Sequence, residues 1–140
     1  MTNRNYYWIA AGLINLFTAF LHTIGGQLDL INPMLSSQLS GQIKTELAGA
    51  WHIVTIVLFV TSYHLLRHGL QAKVAANPDL LRLIGLLYIL FSAAFIGVSL
   101  SQGILAPQWI ILLPIGILCL LGIKRQKHNI NSRVLSSKLL

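Results

Sequence analysis

Residues 80–101 read LLRLIGLLYILFSAAFIGVSLS, a run whose one charge, Arg82, lies near its start. About 20 apolar residues cover the hydrocarbon core of a bilayer, and a helix satisfies its own backbone polar groups there without water. The stretch is therefore read as a membrane-spanning helix. Working outward, similar runs lie at 7–26, 46–67 and 107–124, and little chain remains between them. Of the 140 residues 55% are hydrophobic and 9% charged, with a mean hydropathy of +0.71. So few charges do not cover a globular surface in water. The expected fold is all-α and polytopic, with four transmembrane helices in an up-down-up-down bundle over residues 1–126 and a basic cytoplasmic tail over 127–140. No room is left for a soluble catalytic domain, so any activity belongs to the bundle or to a partner.

The formal net charge of +7 suggests nucleic acid until the charges are placed. Arg4 precedes the first span, Arg67, Lys73 and Arg82 surround the second connection, and Lys124, Arg125, Lys127, Arg133 and Lys138 follow the last span. Lys44 alone falls on the opposite side. This positive-inside asymmetry puts both termini in the cytoplasm and 27–45 outside. The tail is a topology signal that also suits anionic lipid, and no nucleic-acid role is expected. Cys119, the single cysteine, has no partner for an intrachain disulfide and reads as a small packing residue. The first run contains Asn15 and His22 and lacks a clear small-x-small cleavage site, so it is kept as a span.

At 100° per residue, Ala11, Asn15, Thr18, His22 and Gly25 share a face of the first helix. Polar groups are costly against hydrocarbon, so this stripe is expected to face the bundle, where Asn15 and Thr18 reach neighbouring helices. Asn5, Tyr6, Tyr7 and Trp8 read as boundary anchors. Gly25 and Gly26 are expected to interrupt the helix or to admit a close neighbour. Leu28, Ile31, Leu35 and Leu39, broken at Asn32-Pro33, suggest a short amphipathic piece at the outer interface. Thr45 is the expected N-cap of the second helix, with Glu46 in its first turn. Thr45, Ala48, His52, Thr55, Phe59 and Tyr63 form its weaker polar stripe, with Trp51 as an interfacial aromatic. Asn77-Pro78-Asp79 starts the third helix, where Ala93 and Gly97 offer a small-residue packing face. Pro114 is expected to kink the fourth, and the chain after Lys124 to be poorly ordered.

The stretch 22–52 gathers most of the candidate chemistry at one membrane face. His22 and His52 suit a transition metal, haem iron or a quinone, with Asp29 or Glu46 supplying an oxygen ligand and Asn15 and Thr18 lining the same face. The competing reading makes both histidines boundary residues that hold the hairpin together. His64 and His68, four apart at the inner end, have the spacing of a metal-binding pair, with an interfacial role as the plainer alternative. The sequence has no phosphate-binding loop, no nucleophile motif, no zinc-protease motif and no carboxylate in the middle of a span.

His22-x-x-Gly25-Gly26, then Pro33, then Trp51-His52 resembles a group of uncharacterised small four-helix bacterial membrane proteins. The resemblance covers about the first half of the chain and implies the fold and the importance of the first hairpin, but no activity and no catalytic residue; together with the chain's size and charge pattern it makes a bacterial inner membrane the expected location. The expected function is a non-enzymatic accessory or assembly subunit of a membrane complex, in contact with lipid and with a membrane partner or its own copies. A metal-, haem- or quinone-binding module at His22 and His52, and an oligomeric channel or carrier, are the alternatives.

Overall fold

The structure is a computed structural model that describes residues 4–71 and 77–137, with side chains as far as 126. Lys73 and Lys138 lie outside the described residues, as do the side chains of Lys127 and Arg133. The described residues are all-helical: α1 is Tyr6–Phe20, α2 Asn32–Ser36, α3 Gly41–Leu70, α4 Pro78–Gln102 and α5 Trp109–Ser137. Four helices are long and apolar enough to cross a membrane, Tyr6–Ser36, Gly41–Leu70, Pro78–Gln102 and Trp109–Gln126. These mark the chain as an integral membrane protein.

The first span is longer than expected, because neither Gly25-Gly26 nor Asn32-Pro33 ends it. Two π-helical turns, Leu21–Gly25 and Gln27–Ile31, join α1 to α2 with right-handed helical backbone throughout. Gly26 N–H bonds to Leu21 O, and Asn32 N–H to Gln27 O. Each reaches back five residues rather than four. The wider ladder also suits Pro33, which would crowd the carbonyl four residues before it in a regular α-helix. In place of a separate interfacial piece, Leu28, Ile31 and Leu35 ride on the end of a continuous rod.

The second span starts at Gly41, and Ser40 rather than Thr45 caps it by accepting from Ile43 N–H at 3.4 Å. Thr45 lies one turn inside, its hydroxyl donating to Gly41 O at 2.9 Å. Lys44 Nζ donates to Leu35 O at 2.7 Å, placing a cation at the C-terminal end of α2. At about 1.5 Å rise per residue these two rods are each about 45 Å long, against about 30 Å of hydrocarbon.

Asn77 caps α4 by accepting from Asp79 and Leu80 N–H, both at 3.1 Å. Gly103, at φ 64, ends the helix in the left-handed conformation that glycine adopts without cost. Ala106 N–H then bonds to Ser99 Oγ at 3.0 Å as the chain turns into α5. The last helix continues through Pro114 and runs to Ser137. The stretch after Lys124 contains neither glycine nor proline to stop it.

The hydrophobic core begins at the end nearest the N-terminus, called proximal below. Trp8 is 2% exposed, and its indole N–H donates to Cys119 O at 3.0 Å. It is a packing wedge rather than a boundary anchor, because Gly122 and Gly69 leave room where a Cβ would strike Trp8 or its neighbour Ile9. Asn5 is buried beside it, its amide donating to Gly122 O at 2.8 Å and its backbone N–H to Gly69 O at 3.0 Å. Tyr6 and Tyr7 do stay exposed, with the Arg125 guanidinium 5.6 and 5.8 Å from their ring centroids.

Contact partners fall in number on α3 as they rise on α1, from Asn5 with Gly69 to Asn15 with Thr61. The two therefore pack antiparallel. α4 and α5 form a second such pair through Gly85 and Gly116, where an added Cβ would meet the facing helix's backbone oxygen. Cys119 Sγ donates to Leu81 O at 3.0 Å within the same contact. Ala93 and Gly97, the expected packing face, are exposed instead, and nothing lies within 4 Å of a Cβ built on Gly97. α1 joins the two hairpins by packing against α5 as well as α3.

Candidate functional site

A buried polar knot ties α1, α3 and α4 together at mid-bundle. Asn15, fully buried, donates from Nδ2 to Thr61 Oγ1 at 2.8 Å and to Leu58 O at 3.2 Å. Its Oδ1 accepts from Tyr88 OH at 2.7 Å, and Thr61 Oγ1 lies 2.7 Å from the same phenol oxygen. Thr61 also reaches Val57 O at 2.7 Å. Every polar atom in the knot has a partner, which is what an apolar environment demands.

Beyond the knot, toward the distal end, α3 and α4 part. The space between the two hairpins is a crevice of about 370 Å³, within the size range of small-molecule sites. Its deep end is lined by Leu58, Phe91 and Leu112, and its distal rim by His22, Gly26, Trp51 and Gln108. Val54 and Ala94, on the facing flanks of α3 and α4, both line it and are exposed, so it opens sideways. The lining is predominantly apolar, with Thr18, His22 and Gln108 as its polar side chains apart from the Trp51 indole.

The rim is built by a contact between α1 and α3. The His22 imidazole stacks on the Trp51 indole, with centroids 3.7 Å apart and planes 13° from parallel. His22 Nε2 lies 3.3 Å from Trp51 O. A carbonyl oxygen only accepts, so Nε2 carries the proton in this bond. Gly26 makes the stack possible, since a Cβ there would overlap the Trp51 ring. The π-helical turns thus fall where the chain wraps the site.

Thr18 lines the wall one turn below His22, and its hydroxyl donates to Ile14 O at 2.8 Å. Its bond stays within its own helix, whereas Asn15 reaches across to two neighbours. His22 meets Trp51 rather than His52, which is exposed. α3 turns Leu58, Thr61, Ser62, Leu65 and Gly69 inward, so the stripe through His52 and Tyr63 is not its packed face. Asp29 and Glu46 are exposed, with Glu46 accepting from Gln42 Nε2 at 2.6 Å. Among the described residues no group of three or more His, Cys, Asp or Glu is placed to hold a metal ion. At the proximal end His64 and His68 lie with ring centroids 6.3 Å apart and planes 17° from parallel.

Tyr88 and Trp51 are the residues that sequence reasoning left out of the site. Trp51 stands beside His52 in sequence, but only its facing helix reveals what it touches. The partners of the Tyr88 phenol lie 73 and 27 positions away.

Comparison with known proteins gives no further bearing: no family model, curated protein or solved structure matches the chain.

Proposed function

We propose that this chain is a non-enzymatic membrane protein that binds one apolar molecule from the bilayer in the crevice between its hairpins. The observation that carries the reading is the cavity's asymmetry: apolar walls, a side opening and an apolar deep end at Leu58, Phe91 and Leu112, with polar groups toward one rim. That gradient matches an amphiphile with its tail inward and its polar end at the rim. The fully bonded knot at mid-bundle and the packed Trp8 region favour binding over conduction through the monomer. In this reading the distal rim faces outside and both termini lie in the cytoplasm, an up-and-down arrangement across a bacterial inner membrane that the charge asymmetry supports.

The test is to fill the crevice. Purified in mild detergent, the wild-type protein is expected to carry a co-purifying lipid-soluble molecule detectable by native mass spectrometry. Ala94→Phe is expected to lose it while keeping the same thermal midpoint. Equal retention by the filled variant would remove the crevice from the function.

A second reading, an accessory subunit that docks on a membrane partner, is favoured by the exposed Ala93 and Gly97 face of α4. Small residues with open space above them permit close helix approach, the contact that holds helices together in a bilayer.

A further inference from the structure

The hydrogen-bonding capacity of the crevice is lopsided, and this limits the chemistry of its occupant. Thr18 has one hydroxyl proton, committed to Ile14 O at 2.8 Å. What it offers the crevice is lone pairs. His22 bonds to Trp51 O at 3.3 Å through Nε2, so in the neutral ring Nδ1 bears no proton and acts as an acceptor. No hydrogen bond among the described residues uses Nδ1. Two of the three polar side chains on the lining, one helical turn apart on the same wall, are therefore acceptors. Gln108, at the rim, has an amide that both donates and accepts, so it does not discriminate.

Resting on the crevice-binding reading above, we propose that the occupant is a lipid with a free hydroxyl at the end of an apolar chain, its one proton donated to either of the two acceptors, His22 Nδ1 or Thr18 Oγ1. An ester, an ether or a quinone, whose oxygens only accept, leaves both protein acceptors unmatched. The side opening between Val54 and Ala94 admits a chain from the surrounding bilayer, and the apolar deep end at Leu58, Phe91 and Leu112 receives its tail. A single polar end at the rim suits one chain with one terminal donor.

Trp51 lines the crevice and reports on it. A Trp109→Phe background leaves Trp51 and the core-buried Trp8 as the fluorophores. In vesicles of phosphatidylcholine, the probes are a long-chain alcohol brominated on its tail and the methyl ether of the same alcohol. The alcohol is expected to quench Trp51 at about two- to tenfold lower mole fraction than the ether, the range of one net hydrogen bond. Thr18→Val, which keeps the side chain's shape, and His22→Phe, which keeps a ring on Trp51, are each expected to erase part of that preference while tail binding persists. Circular dichroism of each variant confirms the helical fold. Equal quenching by alcohol and ether in the parent protein would overturn the hydroxyl assignment and leave the crevice reading standing. Quenching by neither probe beyond that of a free tryptophan ester in the same vesicles would overturn the crevice reading itself. A preference that survives both substitutions would also overturn the assignment.

Discussion

Tyr88 of α4 donates a hydrogen bond to the Asn15 side chain of α1 at 2.7 Å, and both residues are fully buried. This bond links the two hairpins halfway along the bundle, and the same Asn15 amide also donates to the carbonyl of Leu58, a lining residue of the crevice. Its removal is expected to lower stability by about 0.5–2 kcal/mol, the range for interhelical hydrogen bonds in membrane proteins. Tyr88→Phe, Asn15→Val and the double variant, unfolded in detergent, give the coupling through a double-mutant cycle. Strictly additive losses would mean that the two groups act independently.

Glycines divide into those that are packed against and those that are not. Gly122→Ala puts a methyl into the Trp8 indole and is expected to cost about 1–3 kcal/mol, as overpacking does. Gly97→Ala meets only open space and is expected to be neutral or to gain up to about 1 kcal/mol from helix propensity. The opposite signs are read from thermal unfolding of the two variants side by side.

Gly26→Val is expected to break the His22–Trp51 stack without unfolding the chain, because the new side chain overlaps the indole. A shift in tryptophan emission at constant helicity, together with loss of the co-purifying molecule, is the expected result. Unchanged emission would show that Trp51 does not rest on Gly26.

His22 and His52 stand together in the sequence argument, but the fold sets His22 on the rim of the crevice and leaves His52 exposed and off its lining. His52→Ala is accordingly expected to retain the bound molecule as wild type does, whereas His22→Ala retains less. Parallel loss in both variants, seen by native mass spectrometry, would restore a site shared by the two histidines.

The α4 face through Ala93 and Gly97 has a separate test. Leucine at both positions is expected to leave the unfolding midpoint unchanged and to weaken association, followed by chemical crosslinking in membranes. Crosslinks of undiminished yield would exclude this face as the contact.

Much of the bundle was legible in the sequence, because apolar runs of spanning length have few other uses. The polar stripe of the first helix was legible too: 100° spacing put Asn15 and Thr18 on the face with His22, and all three lie on the inner side of α1. What periodicity does not carry is the identity of the facing residue. It offered His52 as the partner of His22 where the fold supplies Trp51, and Ala93 and Gly97 as a packing face where Gly85 and Gly116 pack. Trp8 near a helix start has the same local sequence whether it anchors at a headgroup or fills a core. The facing glycines that decide between these lie more than 60 positions away. The crevice is harder still to read, because it is a space left where helices diverge and no residue encodes it directly.

On the crevice-binding reading, the side opening has a consequence for traffic. A guest that enters and leaves between Val54 and Ala94 returns to the leaflet that supplied it, so on this reading occupancy follows the guest's abundance in that leaflet and no gradient across the bilayer is spent or stored. On those terms the protein is a depot, and its dwell time is set at the rim, where Trp51 and His22 stand.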